Sequence, residues 1–80
     1  MHIVTFISAN HAIKGEKVLL EAGINVAIMP LPQEIRAGCG ICIRVKDGEE
    51  AHAITILVEN KITEVELYIK QEFQWVKKNL

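Results

Sequence analysis

Aromatic residues, cysteines, prolines and surplus charge are all scarce in this chain, and each shortage excludes something. Only four of the 80 residues are aromatic (Phe6, Tyr68, Phe73 and Trp75). So few argue against a base-stacking surface. Nine basic residues nearly cancel ten acidic ones, so no global field draws in nucleic acid or anionic lipid. No nucleic-acid partner is expected. No apolar run approaches the roughly 20 residues of a membrane span, and no membrane partner is expected either. The opening residues Met1 to Phe6 lack the basic and long apolar regions of a signal peptide and read as a strand. A cytoplasmic location is expected, where thiols are kept reduced. Two cysteines are too few for a disulfide framework, so their interest lies in reactivity or metal binding.

What is present is a globular composition, 50% hydrophobic and 24% charged. Residues 2–7 are nearly all apolar or β-branched and read as a buried strand. Ser8 offers a hydroxyl cap to a helix over residues 9–22, stopped by Gly23. Ala12, Gly15, Leu19 and Ala22 share one face of that helix, where small residues allow close approach to a sheet, and Ile13 and Leu20 widen the stripe. Residues 24–29 form a second strand ended by Pro30 and Pro32. Residues 41–46 alternate as a third strand, with Ile41, Ile43 and Val45 on one side and Cys42, Arg44 and Lys46 on the other. Asp47 with Glu50 resembles a capping box before a second helix whose buried face is Ala51, Ile54, Leu57 and Val58. Val65, Leu67 and Ile69 mark a fourth strand, and Thr5, Arg44, Glu66 and Tyr68 fall on one sheet face.

The order βαββαβ points to an α+β protein with the ferredoxin-like plait: a four-stranded antiparallel sheet with two helices on one face. Residues 1–70 form this single domain. Residues 71–80 form a C-terminal amphipathic tail that either extends the fourth strand or turns into a helix, with Phe73, Val76 and Leu80 at helical spacing beside Trp75. Leaving those side chains bare on a small monomer is a liability, which favours a homodimer through the tail or the open sheet face.

Both cysteines and both prolines fall in the segment from Pro30 to Cys42. The first two strands run parallel, so this loop leaves the sheet at the edge where Ser8, Asn10 and His11 leave the first strand. The loop is expected over the N-terminus of the first helix, with Cys39 outward and Cys42 on the open sheet face. Cys39-Gly40-Ile41-Cys42 has the spacing of a redox pair. On an extended strand, however, its ends lie roughly 10 Å apart, beyond the roughly 7 Å a disulfide spans. One such pair supplies at most two zinc ligands, with His11 the nearest histidine and His2 and His52 toward the opposite edge, so no metal site is expected. The remaining reading is one reactive thiol, Cys39, with Cys42 as a second thiol or as packing. A helix N-terminus, Arg36 and Arg44 favour a thiolate, and Gly38 and Gly40 free the backbone around the sulfur to approach a ligand. His11 is a candidate base, and Ser8 a candidate anion contact as well as a cap. Such a thiol can hold sulfur or selenium as a persulfide or selenenyl sulfide, and no cofactor is required.

Phe6-Ile7-Ser8-Ala9-Asn10-His11-Ala12, then Glu16 and Leu19 or Leu20, then Pro30-Leu31-Pro32-Gln33-Glu34-Ile35, then Gly38-Cys39-Gly40-Ile41 opening a strand, together resemble a small prokaryotic family, Putative Se/S carrier protein-like. The resemblance spans nearly residues 1–70, and its most specific part is Pro-x-Pro followed at fixed distance by Cys-Gly. It implies sulfur or selenium carriage, with a donor and an acceptor protein as partners. Gln33 stands where the family tends to have arginine, and Gly38 where it tends to have serine. Arg36 is the residue placed to supply the missing charge. The competing reading is a non-catalytic module that binds a ligand or protein through the loop edge and open sheet face.

Overall fold

The computed structural model describes residues 1–36 and 39–80. In chain order the elements are β1 (His2–Thr5), α1 (Ala9–Glu21), β2 (Val26–Pro30), β3 (Ile41–Val45), α2 (Glu50–Glu59), β4 (Glu66–Gln71) and β5 (Gln74–Lys78). The five strands form one sheet in the order β2-β3-β1-β4-β5, and every pairing is antiparallel. The expected four strands therefore become five. The tail is a strand and not a helix, because Gln71 and Gln74 pair across a two-residue turn and carry the register on through Leu67 and Lys78. Its apolar residues match a helical spacing, but pairing with β4 settles which pattern is used.

β1 lies between β3 and β4, and all four of its residues are buried. That position explains the apolar and β-branched run from Ile3 to Thr5. Val4, Phe6, Ile43, Val45 and Leu67 point to one side and form the main core with Ala12 and Leu19 of α1 and Ala53 and Leu57 of α2. Both helices therefore cover the same face. Gly15 permits this closeness: a Cβ there would lie 3.0 Å from the Phe6 ring and 3.3 Å from Leu57. Ala22, expected on the buried stripe, is exposed, as in large part are Ile13 and Leu20. The buried face of α2 is turned as well. Ala53 and Leu57 are buried, with Ile54 and Ile56 partly so, while Ala51 and Val58 are exposed.

Ser8 caps α1 as its sequence position suggests, in an extended conformation with Oγ accepting the His11 N–H at 3.2 Å. At the other end Gly23 takes φ 83°, and paired bonds from Gly23 N to Leu20 O and Ile24 N to Leu19 O close a Schellman turn. The start of α2 differs from the expected capping box. The helix begins at Glu50, and its N-cap, Glu49, makes no side-chain cap bond. Asp47 instead accepts from the Met1 ammonium and lies 2.8 Å from His2 Nδ1, while Glu50 accepts the Gly48 N–H. Two partners outside the helix, the Met1 ammonium and the His2 ring, hold Asp47 away from the helix terminus.

Candidate functional site

The segment between β2 and β3 is a long hairpin loop. Its neck is closed by the Leu31 N–H donating to Gly40 O at 3.0 Å, and Gly40 takes φ 72° to turn the chain back into β3. A turn from Pro32 to Ile35 is closed by Ile35 N donating to Pro32 O at 3.0 Å. It drops Ile35 onto the sheet face away from the helices. There Ile35 (6% exposed) packs with Ile3 and Cys42, and Met29, Leu31, Tyr68 and Trp75 surround them. The loop is thus laid partly across the sheet face expected to be open, and it covers Cys42.

The two thiols are both free, but their settings differ. Cys42 is fully buried, its sulfur 3.8 Å from Pro30 O. Burial pushes its pKa up to about 11, and the neighbouring Cys39 adds to the shift. A group so placed stays a neutral thiol at physiological pH. Cys39 is half-buried at the mouth of the hairpin, and its sulfur faces Ile41 O at 3.0 Å and Phe6 O at 3.6 Å. It is therefore turned onto two carbonyl acceptors and not fully outward. Phe6 immediately follows β1, so Cys39 does reach the edge where β1 hands over to α1.

The other expected site residues gather only in part. Ser8 and His11 meet, with Ser8 Oγ 2.6 Å from His11 Nδ1. Among the described residues no hydrogen bond joins either of them to Cys39. Arg36 is exposed and borders a depression of about 370 Å³ with Thr5, Phe6, Ile7, Glu64 and Glu66. Two carboxylates are near it there. Gly40 shapes the loop neck, while Gly38 lies outside the described residues. Arg44 is exposed on the same sheet face as Cys42. Among the described residues no cluster of three histidine, cysteine or acidic side chains is arranged to hold a metal. No helix is long and apolar enough to cross a membrane.

Sequence reasoning missed Ile35, which decides whether Cys42 sees solvent. Its signal was available: a lone branched apolar residue between Glu34 and Arg36 in a polar loop. It also missed the carbonyls of Phe6 and Ile41, which no side-chain motif reports. A second polar cluster at the opposite sheet edge was equally hidden. There buried His2 sits between Asp47 at 2.8 Å and Glu50 at 3.7 Å, with Lys78 Nζ 3.4 Å from its other ring nitrogen. Its members come from β1, the β3–α2 turn, α2 and β5, and only the folded sheet brings them together.

No curated protein and no solved structure matches the chain. A family model does match, over residues 1–69, and it covers β1 through most of β4 together with the cysteine loop. On that match the chain belongs to the family Putative Se/S carrier protein-like.

Proposed function

We propose that the protein carries sulfane sulfur or selenium and that Cys39 bears the cargo. The observation that carries this reading is the contrast between the two thiols: Cys39 is half-exposed at the loop mouth, while Cys42 is buried with a pKa of about 11. Family membership supplies the cargo class. In the loading step the Cys39 thiolate attacks the terminal sulfur of a donor persulfide. The donor's S–S bond breaks, a new S–S bond forms on Cys39, and the donor leaves as a thiolate that takes up the proton Cys39 gave up. No net oxidation occurs, and a selenium cargo follows the same balance. Ser8, His11, Arg36, Gly38 and Gly40 are the supporting residues in this reading. Ser8 and His11 form one hydrogen-bonded pair at the start of α1, and Gly40 holds the loop neck. A donor and an acceptor protein are the required partners.

The same reading treats residues 1–70 as a ferredoxin-like plait to which the tail adds an edge strand. The order β2-β3-β1-β4 with both helices on one face supports it. A homodimer through the free edge of β5 is supported by Phe73, 91% exposed at the hairpin tip, with Val76 and Leu80 also bare. A reducing cytoplasm suits two free thiols. The test is loading of the reduced protein with a persulfide donor, followed by intact mass measurement. Wild type and Cys42→Ser gain one sulfur, and Cys39→Ser gains none. Equal gain by Cys39→Ser overturns the assignment. An intramolecular Cys39–Cys42 disulfide as the main product favours a redox switch instead.

A further inference from the structure

The uncovered part of the loop-side sheet face has a composition that chain order conceals. Across β3, β1, β4 and β5, register places Arg44, Ile3, Tyr68 and Lys77 side by side. The adjoining row holds Lys70 opposite Trp75, and the Lys70 N–H donates to Met1 O at 2.8 Å. Lys46 follows Arg44 on the same side of the chain. With neighbouring strands about 4.8 Å apart, Arg44 and Lys77 lie roughly 14 Å from one another across the face. Four cations and two aromatic rings therefore share one surface. The nearby carboxylates are already engaged: Glu66 takes Lys77 at 2.8 Å and the Tyr68 hydroxyl at 2.9 Å, and Asp47 is held by His2 and the Met1 ammonium. The chain as a whole carries a net charge of −1, so this face is positive against the rest of the molecule.

Two further features bear on what such a face holds. The loop covers Cys42 with Ile35 but leaves Arg44 and Lys46 exposed. Beside them lies a depression of about 360 Å³, lined also by Asn25, Ala27 and Asp47. Tyr68 and Trp75 are half-buried against the Ile3, Ile35 and Cys42 cluster, which holds the rings in place. Lys70 Nζ sits 5.0 Å from the Trp75 ring centroid, so that ring already receives a cation on one face.

We propose that this face binds a single-stranded polynucleotide. Phosphates lie along Arg44 and Lys46, and a base stacks on Trp75 in place of the Lys70 ammonium, which then pairs with a phosphate. An acidic protein segment satisfies the cations but has no use for anchored rings between them, whereas bases stack on such platforms whatever their sequence. The proposal does not depend on sulfur or selenium carriage, because none of its residues belongs to the Cys39 site.

Trp75 is the chain's single tryptophan, so its emission reads this face directly. Oligouridine and oligodeoxythymidine of about ten nucleotides are titrated into the reduced 80-residue protein at low salt. Saturable quenching is expected. Three neutralised phosphates predict a weakening of roughly 20-fold between about 50 and 200 mM salt. Arg44→Gln with Lys46→Gln, both exposed, is expected to weaken binding at least about tenfold with an unchanged melting temperature. Trp75→Leu, read by anisotropy of a labelled oligonucleotide, is expected to cost at least about fivefold. Tyr68→Leu serves the same purpose if Trp75→Leu melts early. Absence of saturable quenching overturns the proposal, as does indifference to both sets of variants. A polyglutamate of matched charge that competes equally well overturns it in favour of an acidic protein partner.

Discussion

The two faces of the sheet are built from alternate residues of the same strands, yet they are covered in different ways. On one, α1 and α2 seal thirteen of the described residues into a continuous core. On the other, among the described residues, Ile35 of the loop makes a buried cluster with Ile3 and Cys42. The first cover is two helices tied to each other through the gap at Gly15. The second is a hairpin loop held, among its described residues, by the Leu31–Gly40 bond at its neck and by Leu31 and Ile35 against the sheet. A cover of the second kind can lift without unfolding the first, because few buried apolar groups oppose it. Both cysteines lie on or under that weaker cover.

Truncation of the strong cover gives the largest expected effect. Leu57 is completely buried between α2, Gly15 and the sheet. Leu57→Ala is expected to cost about 2–5 kcal/mol in urea unfolding, enough to unfold much of so small a domain. Ile35→Ala removes a side chain of similar size, but the loop can settle into the space. Its expected cost is about 1–2 kcal/mol, with a much larger rise in the rate at which Cys42 is alkylated. Equal costs at the two positions break the distinction between the faces.

Alkylation of the wild type sharpens the same contrast. With a pKa of about 11, Cys42 is thiolate in fewer than about one molecule in a thousand near neutral pH, and its sulfur is also shielded. Iodoacetamide followed by peptide mass analysis is expected to label Cys39 first and Cys42 only slowly. Labelling of Cys42 at the Cys39 rate means that the Ile35 cover does not hold.

The legible part of this protein in its sequence was the part governed by alternation and caps. The assignment of Ile41, Ile43 and Val45 to one side and Cys42 and Arg44 to the other follows from period two alone, and it holds because β3 is paired on both edges. Ser8 and Gly23 act through bonds only a few residues away, so local chemistry suffices for them. Asp47 misled because its partners, His2 and the Met1 ammonium, are 45 and 46 residues distant. Val76 and Leu80 misled because a short amphipathic stretch fits two periods, and only the edge of β4 decides between them. The site was legible as a segment but not as a geometry. Nothing in Gly-Cys-Gly tells that the sulfur turns toward the carbonyl of Phe6, 33 residues earlier.

Acid separates the faces by charge. Asp47 is held below its ordinary 3.8 chiefly by its hydrogen bond to His2, and Glu50 below 4.5 chiefly by backbone hydrogen bonding. Glu66 on the loop-side face is lowered from 4.5 chiefly by Lys77, then by Tyr68. A carboxylate lowered in the folded state contributes stability above its unfolded value, and that contribution is lost as pH falls through the folded one. Stability is therefore expected to decline once pH drops below about 4.5, and the decline should be shallower in Asp47→Asn and in Glu66→Gln. The substituted carboxylates, Asp47 and Glu66, are open to solvent screening, so each change is small. If only Asp47→Asn flattens the thermal-melt profile, acid acts at the His2 end and leaves the loop-side face intact.

The smallest expected effect separates the covers without touching either. α2 ends in the same Schellman geometry as α1, with Lys61 N bonded to Val58 O and Ile62 N to Leu57 O. Where α1 has Gly23, however, α2 has Lys61 at φ 62°, a left-handed conformation that costs a side-chain-bearing residue about 1–2 kcal/mol. Lys61→Gly relieves that strain but frees the unfolded backbone, so a net gain of about 0.5–1 kcal/mol is expected in urea unfolding. The gain belongs to the helix-covered core, because Ile62, next in the chain, is buried there. If Cys42 becomes accessible only when the Ile35 loop lifts, its alkylation rate stays the same in Lys61→Gly while global stability rises. If the rate falls in proportion to the stability gained, Cys42 is reached through global unfolding. The two faces are then one cooperative unit despite their unequal covers.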